Sequence, residues 1–323
     1  MLVAVVTNPS HETRLSAYDP HSKLQSQATS RAVHSALVEL GYEVEVVEAG
    51  PSLLVELEKV RPDVVFNIAT GYNTKKDQAN IAAMLELSGI PFTGSTFQAH
   101  TIGLQKHLAK LVFQMYDIPT PMFLVFNRPP EDLPENVLRK IRFPVIVKPS
   151  SEGSSVGISP KSVTSDAEEM KSLIAEIIEK FGPPALVEEF VPGREFTVAL
   201  VGYPDPVVLP IEEIVFEERA MYTYAIKAND AVKPVCPAEI SPELETEISS
   251  AAKRAFVAVG CRDIARVDVR VSPDGKPFVL EINTLPGLMP GYSEVPRIAQ
   301  KAGYDYVRLI EMVLKGALMR RGG

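Results

Sequence analysis

Residues 266–271 read Arg-Val-Asp-Val-Arg-Val, charge and valine in strict alternation. A period of two belongs to an extended strand, so Arg266, Asp268 and Arg270 share one face and the valines the other. The turn Ser272-Pro273-Asp274-Gly275 then returns the chain into Lys276–Asn283, where Glu281 and Asn283 also share a face. Two carboxylates and an amide carbonyl on adjacent strands make a set of hard oxygen donors. Mg²⁺ takes such a set, leaving its other positions to phosphate and water. A solvated hairpin face with cross-strand ion pairs has the same pattern. The sequel Thr284-Leu285-Pro286-Gly287 favours the metal, because an irregular turn offers backbone N–H groups beside the oxygens.

A second group lies upstream. Val145-Ile146-Val147-Lys148 reads as a strand that ends in a lysine and opens into the loop Ser150-Ser151-Glu152-Gly153-Ser154-Ser155-Val156-Gly157. Small residues let backbone N–H groups approach a polyphosphate, and the lysine adds a point charge. The Gly-Lys-Ser/Thr order of a Walker A loop is absent. A third group, Glu188-Glu189-Phe190-Val191-Pro192-Gly193-Arg194-Glu195, puts carboxylates at a strand end, where they could meet ribose hydroxyls or an exocyclic amine; a solvated turn reads the same way.

The elements that must hold these groups follow from the hydrophobic pattern. The first third alternates strand and helix: Leu2–Thr7, a helix over Gln25–Leu40, Glu43–Val47, Asp63–Asn67, and a helix over Gln78–Leu87. That rhythm predicts a parallel sheet covered by helices. Thr93-Gly94-Ser95 and Gly182-Pro183-Pro184 mark boundaries, which divides the 323 residues into units at 1–95, 96–183 and 184–323. Short helices run through Met115, and a helix capped by Ser165 or Asp166 covers residues to Phe181. Residues 211–237 form a long stretch with little regular pattern, and such a stretch in a compact domain is usually functional. An amphipathic helix spans Pro242–Val259, and a last helix covers about Tyr304–Leu318.

Composition narrows the class without giving chemistry. Apolar residues make up 46%, and 33 basic against 41 acidic side chains give a net charge of −8, which disfavours a non-specific nucleic-acid binder. No apolar run reaches the ~20 residues of a membrane helix. Two cysteines, Cys236 and Cys261, in no metal spacing suit a reducing, cytoplasmic setting. The histidines read as surface or helix-packing residues, and Arg320-Arg321 as a solvated tail.

Taken in order, the motifs resemble the ATP-grasp superfamily, in particular its D-alanine–D-alanine ligase family. The resemblance rests on Phe66-Asn67, Gly89-Ile90-Pro91-Phe92-Thr93-Gly94-Ser95, Lys106, the 144–158 segment, Glu188 through Val198, Arg266-Val267-Asp268, and Glu281-Ile282-Asn283-Thr284-Leu285-Pro286-Gly287, and it covers about residues 60–315. It implies an α/β protein of ATP-grasp fold, in which an N-terminal parallel-sheet domain precedes two α+β subdomains that clamp ATP. The implied activity is ATP-dependent carboxylate–amine ligation through an acyl phosphate, with two Mg²⁺ (or Mn²⁺) ions held by Asp268, Glu281 and Asn283. Lys106 and Lys148 are then expected on the phosphates and nucleotide, Glu188 with the backbone of Glu189 and Val191 at the adenine, and Glu195 at the ribose. Arg266 and the N–H of Gly287 are expected at the oxyanion. Lys227, after Tyr222 and Tyr224, would close over the γ-phosphate from a lid at 211–237. Ser154 would help fix the first substrate and the lid, Ser293 would hold the second substrate's carboxylate, and Tyr224 would be a further substrate contact. The implied partners are small amino acids, with no nucleic acid or membrane, and the implied assembly is a homodimer.

The departures gather in the amino-acid half. The expected Gly-Gly-x-Ser turn with its glutamate is replaced by Asn8-Pro9-Ser10-His11-Glu12, and Glu12 is a poor substitute. Thr70 stands where the family has histidine, Gly71–Asp77 replaces a Gly-Glu-Asp-Gly loop, and Ala228 follows the lid lysine. These changes leave open a ligase for another amino acid or hydroxy acid, a kinase that stops at phosphorylation, and a nucleotide-binding protein without ligase activity.

Overall fold

The structure is a computed structural model that describes residues 1–11, 20–74, 77–152, 157–216 and 232–320, and the statements below concern those residues. The chain begins β1 (Leu2–Thr7), α1 (Pro20–Glu39), β2 (Glu43–Glu48), α2 (Leu53–Val60), β3 (Val64–Asn67) and α3 (Asp77–Ser88). These strands form a parallel sheet in the order β2-β1-β3. Val3 through Val6 are fully buried, as a central parallel strand covered on both faces requires.

Next come α4 (Phe97–Leu104), α5 (Lys106–Met115), β4 (Phe123–Phe126), α6 (Glu135–Leu138), β5 (Val145–Pro149), β6 (Val163–Thr164), α7 (Ala167–Phe181) and β7 (Ala185–Glu189). The four strands pair antiparallel as β4-β7-β5-β6. Asp166 caps α7, accepting from the N–H of Glu169 at 2.8 Å. Because β7 pairs with β4 and β5, it belongs by sheet membership with the central unit, although a division at 183/184 places it in the last one.

The remainder runs β8 (Arg194–Gly202), β9 (Val207–Val208), β10 (Glu212–Phe216), β11 (Val232–Val235), α8 (Pro242–Val259), β12 (Asp263–Val271), β13 (Pro277–Asn283), α9 (Glu294–Lys301) and α10 (Tyr306–Met319). Its sheet has the order β11-β10-β8-β12-β13, with β9 added beside β8. The expectation of an irregular 211–237 needs correction at both ends, where β10 and β11 pair antiparallel; residues 217–231 lie outside the described ones. The valines of β12 pack with Phe196, Val198, Val279 and Ile282 against Ile248, Ala252 and Phe256 of α8. Burying each such side chain contributes roughly 1.5–3 kcal/mol, and that burial turns the charged face of the sheet the other way.

Asp263 ties the units together. It adopts a left-handed φ of 61°, and its carboxylate accepts from the N–H of Gly94 at 2.8 Å and from Arg320 Nη1 and Nη2 at 2.7 and 2.6 Å. Arg320 also donates to the carbonyl of Phe92 at 2.8 Å. Arg320 is therefore a half-buried clasp on a buried carboxylate, not a solvated tail. The side chain of Asp263 lies so close to Gly316 that a Cβ there would sit 1.9 Å from Oδ1. Among the described residues no helix is long and apolar enough to cross a membrane.

Candidate active site

The register of β8, β12 and β13 assembles the polar face. Arg266 stands opposite Asn283, Asp268 opposite Glu281 and Thr197, and Arg270 opposite Glu195; the direct pairing of Asp268 with Glu281 puts both carboxylates on this face, and the register with β13 shifts by one residue only after them. Arg266 grips Asp268 in a two-pronged contact, Nε at 3.0 Å and Nη2 at 2.8 Å, and reaches Glu294 of α9 with Nη1 at 3.2 Å. The hydroxyl of Thr197 donates to Asp268 Oδ1 at 2.7 Å. Burial works against the Arg266 charge, but Asp268 and Glu294 outweigh it and hold its pKa well above the usual value.

Helix α5 and strand β5 supply cations to the same place. Lys106 lies 3.0 Å from Glu281. Burial would raise the Glu281 pKa; Lys106, Lys148 and Arg266 overcome it and hold the group down at about 2. Glu195 behaves oppositely: burial, with Asp268 and Glu281 nearby, pushes it up to about 7 against the pull of Arg270. Lys148 pairs with Glu188 at 2.9 Å, and the other oxygen of Glu188 lies 3.4 Å from Lys110, an ion pair without hydrogen-bond geometry. Burial opposes ionisation of Glu188, and the two lysines reverse it, holding the carboxyl below its ordinary value.

The donor set suits a divalent cation. Asp268 and Glu281 face each other with Asn283 beside them, and their charge is met by Arg266 and Lys106. Two carboxylates and an amide oxygen match what Mg²⁺ takes from a protein. Asn283 Oδ1 also accepts from the N–H of Leu285 at 3.1 Å, which shapes the following turn. At that turn Gly287 runs so close to Ser293 that a Cβ would sit 2.6 Å from the hydroxyl, and the hydroxyl accepts from the N–H of Met289 at 3.1 Å.

The profile of the D-Ala D-Ala ligase C-terminus family matches residues 112–315. Over 308 residues the chain is 35% identical to a D-alanine–D-alanine ligase of Gloeobacter violaceus, covering 95% of this chain and 99% of that one. The chain belongs to the D-alanine–D-alanine ligase family. It is also 35% identical over 304 residues to an uncharacterized protein, y4sG, of Sinorhizobium fredii, covering 90% of this chain and 88% of that one. The fold matches a crystal structure of the Bacillus anthracis D-alanine–D-alanine ligase complexed with ATP, with a TM-score of 0.78 at 24% identity over 99% of this chain and 98% of the other.

Of the residues named for the site, Lys106 of α5, Lys148 of β5 and Glu188 of β7 lie in one network of charges with Glu195, Arg266, Asp268 and Glu281 of the last sheet, and Asn283 stands opposite Arg266. Gly287 and Ser293 meet one turn further on. Ser154, Tyr222, Tyr224, Lys227 and Glu12 lie outside the described residues. Glu189 turns outward to Arg142, whose backbone N–H donates to its carboxylate at 2.9 Å, and its own N–H is taken by the carbonyl of Met122; Val191 lies on the partly exposed turn between β7 and β8. Two ligands of the ion-pair network escape the sequence reading. Lys110 is fully buried and donates to the Thr120 hydroxyl at 2.6 Å; burial, offset by Glu188, pulls its pKa to about 8. Its place four residues after Lys106 on one helix face is the signal that could have found it. Thr197 is the other, legible from alternation with Glu195.

The N-terminal sheet is built differently. At the ends of β1 and β3 the Asn8 amide donates to the Thr70 hydroxyl at 2.9 Å and its carbonyl accepts from the N–H groups of Thr70 and Gly71 at 2.8 and 3.3 Å. The strand ends are thus joined by a neutral amide–hydroxyl pair.

Proposed function

We propose that the protein is an ATP-dependent carboxylate–amine ligase that joins two amino acids through an acyl phosphate, with D-alanine the first substrate to try on both sides. The observation that carries the reading is the single row formed by Glu195, Thr197, Arg266, Asp268, Glu281 and Asn283 opposite Lys106, Lys148 and Glu188. Phosphoryl transfer requires alignment and charge neutralisation more than covalent help, and this row is built for both.

In this reading the first substrate's carboxylate oxygen takes the γ-phosphoryl group and ADP leaves. The amine of the second substrate attacks the acyl carbon, and phosphate departs from the tetrahedral intermediate. Asp268, Glu281 and Asn283 would hold Mg²⁺ (or Mn²⁺), which would offset the negative charge of the phosphates. Lys106 and Lys148 meet the phosphates and nucleotide, Glu188 orients Lys148 towards the base, and Glu195 takes the ribose. Arg266, kept permanently charged, faces the oxyanion with the N–H of Gly287. Ser293 receives the second substrate's carboxylate. Ser154, Tyr224 and Lys227 close the site, and Glu189 and Val191 contribute backbone to the adenine pocket. The same reading includes a homodimer in the cytoplasm.

One observation favours a first substrate other than D-alanine, namely the neutral Asn8–Thr70 pair at the ends of β1 and β3, where the resemblance leads one to expect charged groups. The deciding experiment measures phosphate release with ATP and Mg²⁺ over a panel of D- and L-amino acids and hydroxy acids, with mass spectrometry of the product. Release coupled to an amide or ester product supports the reading. Release of no phosphate with any pair removes it.

A further inference from the structure

His100 sits on α4, outside every role assigned above, yet it is fully buried. Its Nδ1 lies 2.6 Å from the hydroxyl of Thr284 and 2.9 Å from the side-chain amide nitrogen of Gln78, which itself reaches the Thr284 hydroxyl at 3.4 Å. The other ring nitrogen, Nε2, is buried without a hydrogen-bond partner among the described residues. The imidazole is therefore oriented from one side only, through Nδ1. Burial pulls its pKa down to about 4, so the ring is neutral near pH 7 and acts as a hydrogen-bonding wedge and not as a charge.

The three partners come from three parts of the fold. Gln78 lies on α3 of the N-terminal unit, His100 on the helix that follows it, and Thr284 directly after Asn283 of β13. Packing brings them together at short range. Gly103, on the same helix as His100, lies against the strand end so closely that a Cβ would come within 2.6 Å of Thr284 Cγ2 and 3.3 Å of the Ile282 carbonyl. Thr284 opens the turn that ends at Gly287, and Asn283 Oδ1 pins the N–H of Leu285 within it. Whatever fixes the Thr284 side chain fixes where this turn departs from the strand.

We propose that His100 is a positioning residue: through Thr284 it sets the 284–287 turn, and through Gln78 it registers the N-terminal unit on that turn. The proposal rests on the ligase reading for its kinetic arm and stands apart from it for its structural arm. A group misplaced by about 1 Å can cost up to 10²-fold in rate, so a turn left loose should lower kcat while leaving the KM for ATP in place.

The test compares His100→Leu, His100→Asn, His100→Gln and Thr284→Val in the full chain by steady-state kinetics and by hydrogen–deuterium exchange of the peptide covering 280–290. The Asn amide falls where Nδ1 was, and the Gln amide falls nearer Nε2. Expected are a roughly tenfold loss of kcat and faster exchange confined to 280–290 in His100→Leu, His100→Gln and Thr284→Val. His100→Asn should recover most of both, and His100→Leu combined with Thr284→Val should be no worse than either alone. Exchange at 280–290 that is unchanged in His100→Leu, or raised evenly across the molecule with Asn no better than Leu, overturns the proposal. If the wild-type protein ligates nothing, the exchange comparison alone decides.

Discussion

The charged cluster around β8, β12 and β13 and the strand ends of the N-terminal sheet solve the problem of polar groups in opposite ways. In the first, charges are buried in compensated pairs: Glu188 between two lysines, Glu281 against Lys106, Asp268 against Arg266. In the second, Asn8 satisfies Thr70 and Gly71 with no ionised group in the bond. Carrying a polyphosphate and its metal fixes residue types, because only carboxylates and strong cations balance that charge. Holding a small organic acid fixes far less, so this is where a family can change its substrate while keeping its reaction. Asn8, Thr70 and the 71–77 loop, which depart from the family pattern, fall in the second region, and the matched carboxylates and cations fall in the first.

Substitutions that separate the two regions test this contrast. The largest effect is expected from Glu281→Gln, which removes one metal charge: turnover should drop about 10³-fold or more, with folding stability much less affected. An unchanged rate, measured with ATP and Mg²⁺ in excess, would take Glu281 out of the site. Lys110→Met comes next. Leaving Glu188 with one lysine in a dry environment should cost about 3 kcal/mol in urea unfolding and raise the KM for ATP, with the amino-acid KM unmoved. If instead the variant is as stable as the parent, the buried pair is not a compensated one. Asn8→Leu is expected to act in the other region only: about a tenfold rise in the KM of the first amino acid, from hydrogen bonds worth about 1 kcal/mol each, and no change for ATP. A change in the KM for ATP would blur the two regions into one.

The residues of the sheet face were legible because alternation at 266–271 and 281–283 fixes which side chains share a face, and the pairing of β12 with β13 is local. Two helices were legible for the same reason, one because Asp166 lies next to what it caps and the other, Pro242–Val259, because its apolar spacing is local. Other features depend on partners far away in the chain. His100 reads as a packing residue until Thr284, 184 positions later, is beside it. Arg320 reads as a tail until Asp263, 57 positions earlier, is beside it. The helix Leu53–Val60 escaped notice because it is short, and β10 and β11 because neither alternates strongly. Conversely, Glu189 matched its motif yet points at Arg142, because a motif names a position without saying which way the side chain turns.

The clasp at Asp263 has a consequence for how this protein can be handled and inherited. Its partners, Phe92, Gly94 and Arg320, bracket nearly everything between the end of the N-terminal unit and the end of the last helix. A left-handed φ suits Asp better than most side chains, and Gly316 leaves room for no other residue beside that carboxylate. Any fusion or trimming that disturbs Arg320 would thus be felt directly at residues 92–94, where the N-terminal unit ends. The final turn of the chain is a keystone, and of the two ends of α10 it is the one to leave untouched.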